Sequence, residues 1–134
     1  MLVASGKNDD TSTGYERPSI QYYEPDYMSA KRPEILNAQS RMGYGTLGAL
    51  AARSGGTPTE VMLVGLSSMT HSIDMNQRAI QLPVGKVIKG NTSDGDLVIF
   101  GTPGNTHIAP PGPYMLFLLE DQRIPSVAKM VMIG

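Results

Sequence analysis

Short apolar runs alternate along this chain with clusters of Gly, Pro, Asn, Asp and Ser. That rhythm predicts strands joined by turns, because a strand buries one face at a period of two and turns collect residues with special backbone freedom. Residues 60–66 (EVMLVGL) and 114–119 (YMLFLL) are the most continuous apolar runs and read as central strands. Residues 34–38, 79–84, 96–100 and 127–133 alternate enough to read as further strands. Residues 46–53 (TLGALAAR) are ambiguous. Leu and Ala favour a helix, but Gly48 interrupts it, and the neighbouring elements make it a strand. Asp94-Gly95, Pro110-Pro111-Gly112 and residues 120–123 are turns.

About seven short strands at regular turn spacing predict an all-β sandwich. The first thirty-one residues differ. Residues 1–5 read as a short apolar strand, 6–13 as a polar loop, and 18–28 as an extended, proline-punctuated segment. Four of the six tyrosines fall between Tyr15 and Tyr27. Lys31-Arg32-Pro33 marks a boundary. The expected organisation is therefore an extended segment over 1–31 and a sandwich over 32–134.

Composition narrows the chemistry. With no cysteine, this chain holds no disulfide, thiolate nucleophile or zinc-thiolate site. A net charge of −1 gives no footprint for nucleic acid and no polybasic attraction to a membrane. No apolar run reaches the length of a membrane-spanning helix, so no membrane insertion is expected. Met1-Leu2-Val3-Ala4 is too short for a signal-peptide core and lacks a basic start. The nine methionines, mostly beside other apolar residues, are expected to fill the core adaptably rather than to form a copper or partner surface.

Of the two histidines, His71 lies in the polar stretch Ser68-Met69-Thr70-His71-Ser72-Ile73-Asp74-Met75-Asn76-Gln77-Arg78, just after an apolar strand. Such a position presents an imidazole to a metal or substrate instead of packing it. The plainer alternative is a turn histidine hydrogen-bonded within its own loop. His107 reads as a solvated loop residue. Asp9-Asp10 and Asp94/Asp96 lack the spacing of a calcium loop and read as turns.

Thr70-His71-Ser72, with Asn76-Gln77-Arg78 and Leu82, resembles the "THS…NQR…L" segment of the galactose oxidase and glyoxal oxidase family. Residues 109–117 (APPGPYMLF) are similar to its "APPGYYMLF" strand, and Ile124-Pro125-Ser126-Val127-Ala128-Lys129 to its "GVPSVAK". Tyr23-Glu24-Pro25-Asp26-Tyr27, Arg32-Pro33, Gly43-Tyr44-Gly45 and Met1-Leu2-Val3-Ala4 also fit, in order along nearly the whole chain. Pro113 departs from the pattern, which has an aromatic there. Pro lacks an N–H and should lie at a strand start or edge.

The resemblance implies the all-β, immunoglobulin-like early set domain that follows a seven-bladed β-propeller in that family. Residues 1–31 would be a remnant of the last propeller strand and its linker, contacting the propeller or another protein chain. An unpaired strand at 1–5 would need a neighbour for its backbone groups. The resemblance makes His71 a copper ligand on a loop that reaches into the propeller, with its second ring nitrogen held by Asp74, Asn76, Gln77 or a backbone carbonyl. Arg78 and Gln77 would pin the loop. The family's site uses two Tyr and two His, one Tyr crosslinked to a Cys as the radical cofactor. Only His71 matches here, so copper requires ligands from the missing propeller, and the chain alone is not expected to oxidise alcohols or aldehydes. An extracellular or surface location follows from the family's habit of secretion alone. Two other readings stand beside this one: a stand-alone assembly module of a surface or virion with no metal, and carbohydrate binding through the tyrosine-rich segment.

Overall fold

The computed structural model describes residues 2–4, 20–90 and 95–134. The chain divides into two compact units, Met1–Ala30 and Lys31–Gly134. In the first, strand β1 (Leu2–Ala4) pairs antiparallel with β2 (Ile20–Tyr22), Leu2 opposite Tyr22. β1 therefore has one hydrogen-bonding neighbour within the chain. A single turn of 3-10 helix, Asp26–Met28, follows Pro25 and is capped through backbone bonds at Ser29. The loop read at 6–13, including Asp9-Asp10, lies outside the described residues.

The second unit is built from β3 (Glu34–Ala38), β4 (Arg41–Met42), β5 (Leu47–Arg53), β6 (Pro58–Gly65), β7 (Met69–Thr70), β8 (Ile73–Asp74), β9 (Ala79–Ile88), β10 (Asp96–Gly101), β11 (Gly112–Glu120) and β12 (Lys129–Ile133). Eight of these form one ladder in the order β3-β5-β10-β9-β6-β11-β12-β4. Consecutive β3 and β4 stand at its two ends, so the ladder curls into a sandwich whose corners are β3–β4 on one side and β9 on the other. The β4 contact is the sole parallel pairing among the described strands, Met132 opposite Arg41.

β9 explains the second corner. Its first half pairs with β6, Val64 opposite Ala79 through Glu60 opposite Pro83. Its second half pairs with β10, and the register slips there between Ile99 and Phe100, leaving Gly85 unopposed. Pro83 and Gly85 are the bend that carries the strand from one sheet to the other. The sequence pattern stops this strand at Val84. The structure runs it on to Ile88.

The core follows strict alternation. Leu50 and Ala52, Val61 and Leu63, Val98 and Phe100, Leu116 and Leu118, Val131 and Ile133 all point inward and are buried. β5, with its helix-prone composition, is a strand because this alternation wins over local propensity. Gly48 has a specific role. It opposes Phe100 across the ladder, and a β-carbon there would lie 2.4 Å from the phenylalanine ring. The missing side chain is the space that the ring fills.

The methionines correct the expectation of core filling. Met42 is buried, but Met69, Met75, Met130 and Met132 are exposed, and Met62 and Met115 are half-buried. On β6, β11 and β12 the methionines take the phase opposite to Leu63, Leu116 and Val131, which sends them to the outer face. Pro113 sits at the start of β11 as expected, one residue before the pairing with β6 begins at Tyr114. The Asp94-Gly95 turn is described only from Gly95, whose φ of +72° is the left-handed conformation a turn glycine supplies.

Candidate metal-ligand hairpin

Between Gly65 and Arg78 the chain leaves the sheet and returns as a small hairpin. Its neck is closed by a Gly65 N–H to Arg78 carbonyl bond of 2.8 Å. The Asn76 side-chain amide donates to the Leu66 carbonyl at 2.8 Å, packed so close that a β-carbon on Gly65 would meet it at 2.9 Å. One turn further out, Met75 N–H reaches the Ser68 carbonyl at 2.9 Å. Beyond that the two short strands β7 and β8 pair, Met69 with Asp74 and Thr70 with Ile73.

Asp74 organises this part. Its Oδ1 accepts the backbone N–H of Ser68 and of Asn76, both at 2.9 Å. The bond to Asn76, two residues on, is an Asx turn. These two amides, and the Ser67 side chain after them, favour the ionised carboxylate and hold its pKa below the usual carboxylate range against partial desolvation.

His71 and Ser72 form the tip. Their φ angles are 50° and 63°, positive at both central residues as a two-residue type I′ turn requires. That turn normally takes Asn-Gly. A residue with a β-carbon held left-handed costs about 1–2 kcal/mol. The His71 ring is exposed, and its Nδ1 lies 2.8 Å from the Thr70 hydroxyl oxygen. Nε2 has no hydrogen bond among the described residues. Three large apolar side chains of the hairpin are exposed: Met69 at 66%, Ile73 at 57% and Met75 at 69%.

Several expected partners do other work. The side chains named for the second ring nitrogen do not take it; Thr70 does. Asp74 and Asn76 brace the neck instead. Arg78 contributes its carbonyl to the neck, and its guanidinium makes no hydrogen bond among the described residues. His107 is exposed in a turn where its N–H donates to Asn105 Oδ1 at 3.0 Å. Asp96 is engaged by Lys89 at 2.6 Å and by the Gly90 N–H at 3.2 Å, and Lys89 holds its carboxyl below the usual range. Tyr23 and Tyr27 are exposed at 58% and 40%.

As a donor set, the hairpin supplies one imidazole nitrogen, a good ligand for Cu(II) in a tetragonal N,O site. Among the described residues no three His, Cys, Asp or Glu side chains gather to hold a metal. The donor chemistry of the hairpin is that of a single exposed imidazole.

A profile of the family described as "Galactose oxidase-like, Early set domain" matches residues 32–133. The chain belongs to that family. A WSC domain-containing protein of Arthroderma benhamiae is 31% identical over 137 residues, an alignment that takes in 100% of this chain and 14% of that protein. A galactose oxidase of Gibberella zeae is 26% identical over 117 residues, 83% of this chain and 16% of the enzyme. Among solved structures, a fungal alcohol oxidase of the AA5 family in complex with copper superposes with a TM-score of 0.63 at 27% identity, over 78% of this chain and 21% of that one. The chain thus spans 14–16% of these curated relatives' length. The match starts at Arg32, so it takes in the whole curled ladder and the His71 hairpin.

Proposed function

We propose that this early set domain supplies one ligand, His71, to a copper site whose other ligands come from a β-propeller, and that it is not catalytic alone. The observation that carries this reading is the hairpin itself. A braced neck, a left-handed two-residue tip and an exposed imidazole with an open Nε2 form a presented ligand, not a packed histidine. Two further features support it. The exposed apolar side chains Met69, Ile73 and Met75 suit a hairpin that enters another protein surface, where their burial would contribute about 1.5–3 kcal/mol each. The relatives include oxidases, one of them solved with copper.

In this reading copper, when bound, supplies the one-electron chemistry of alcohol or aldehyde oxidation. The chain's own residues place one nitrogen, keep the tip from collapsing and cover the partner's mouth with apolar surface. Residues 1–31 are the last propeller strand and linker, and contact that partner.

The test separates donor from site. The 134-residue chain alone should bind Cu(II) weakly and show no oxidase activity. Submicromolar affinity, lost in His71→Ala, would mean that the chain holds a complete site.

A second reading, a metal-free assembly module, is favoured by the outer sheet face. There Met62, Val64, Met115, Phe117, Met130 and Met132 share one phase of β6, β11 and β12. The coding sequence upstream of Met1 discriminates. A propeller carrying a cysteine and a Tyr-His pair supports the first reading, and its absence from the whole protein supports the second.

A further inference from the structure

We propose that the outer face of β6, β11 and β12 carries a metal site of its own, a cluster of thioethers centred on Met115 that takes the soft monovalent cation Cu(I). It does not rest on His71 being a ligand. The sheet register builds the cluster. Met115 stands directly opposite Met130 on β12. Met132 opposes Pro113, and Met62 on β6 opposes Phe117, so each lies one diagonal step from Met115 on the same face.

Met115 and Met130 form the closer kind of antiparallel pair. Met132 N–H points to β4, where it reaches the Ser40 carbonyl at 2.8 Å. Met130, two residues earlier, turns its backbone the same way and exchanges no ladder bonds with Met115. Such pairs hold their Cα atoms about 4.5 Å apart. Diagonal neighbours on one face lie about 7–8 Å apart, within reach of long side chains. A methionine side chain is unbranched and flexible, so three sulfurs can converge on one ion without moving the ladder. Met130 is 55% and Met132 37% exposed, and Met62 and Met115 are half-buried, which leaves the cluster open to an ion from solvent.

Donor chemistry selects the ion. Thioether sulfur is a soft, uncharged ligand that favours Cu(I), whereas hard divalent ions want oxygen. The residues directly opposite these methionines on β6 and β11 are Val64, Phe117 and Pro113, which offer neither carboxylate nor imidazole. Arg41 borders Met132 at the β4 edge, and its guanidinium donates to the Gly134 carbonyl at 2.9 Å. The chain has no cysteine, so no thiolate competes for the ion. Apolar contact with a partner needs no sulfur. Leucine, similar in volume, therefore separates that use of the face from metal binding.

The experiment titrates the 134-residue chain with Cu(I), kept reduced by ascorbate, against a chromophoric chelator. Ag(I), which holds its oxidation state, replaces it for NMR of carbon-13-labelled methionine methyls. The expected result is one Cu(I) per chain, with Ag(I) shifting the methyls of Met115, Met130 and at least one of Met62 and Met132. Met115→Leu and Met130→Leu should each weaken binding by more than an order of magnitude, and His71→Ala should leave it unchanged. Unchanged amide shifts of Leu63 and Val131 verify that the sheet persists in the variants. Failure to compete for Cu(I) overturns the proposal. So does affinity retained in both leucine variants, which leaves the face an apolar contact surface. Methyl shifts confined to Met69 and Met75 overturn it as well, because they put the ion on the hairpin. The His71 reading is tested with Cu(II) on the protein expressed from its full coding sequence, so the two fail separately.

Discussion

Asp74 accepts the backbone N–H of Ser68 at 2.9 Å across the neck of the hairpin, a side-chain tie added to the Gly65–Arg78 and Met75–Ser68 backbone bonds between the departing and returning strands. The same oxygen holds Asn76. Charge-assisted bonds of this kind are roughly twice as strong as neutral ones. Asp74→Ala should therefore loosen the hairpin without unfolding the sandwich. Hydrogen exchange at Ser68 and Asn76 should accelerate, while amides of β11 stay protected. Equal acceleration in both places would mean that the hairpin and the core are one cooperative unit.

The same carboxylate predicts a pH dependence. Its pKa is lowered in the folded protein, so its stabilising effect is complete above the ordinary carboxylate value and is lost as pH falls through the depressed folded value. Neck amides should stay protected at neutral and mildly acidic pH and open only in strong acid. An opening centred near neutral pH would assign the brace to another group.

Gly48 and Phe100 pack directly against each other in the core, and the space between them cannot hold a methyl group without a shift. Gly48→Ala should destabilise by about 1–3 kcal/mol through overpacking. Phe100→Leu combined with Gly48→Ala should recover part of that loss, because the two residues share the same volume. Urea titration of the four proteins gives the coupling. Additive losses would contradict the packing argument.

The methionines separate by phase. Met42→Ala should cost about 2–5 kcal/mol as a buried truncation, whereas Met130→Ala, on a side chain 55% exposed, should stay within about 0.5 kcal/mol. Comparable losses at both sites would show that the outer face of β12 is packed in solution.

The strands were legible where alternation is strong. Leu116 and Leu118 lie two apart in the most apolar run, and burial at a period of two needs no knowledge of the partner strand. The second half of β9 was not legible, because Pro83 and Gly85 stop a strand by composition and only the curled ladder turns them into a corner. β7 and β8 have two residues each, too few for any periodicity. His71 stood out through its motif. Thr70 did not, because its contact with the ring exists only when the chain is bent at a positive φ. The Asp74-Met75-Asn76 spacing does carry a signal for an Asx turn. What it could not show is that the same oxygen reaches back six residues to Ser68.

The most direct test of the central claim is the copper content and copper EPR spectrum of the protein expressed from its full coding sequence, compared with His71→Ala. The account predicts a bound Cu(II) with imidazole nitrogen coupling in the wild type, and a weakened site with one nitrogen fewer in the variant. Identical copper content and identical nitrogen couplings in the two proteins would contradict it.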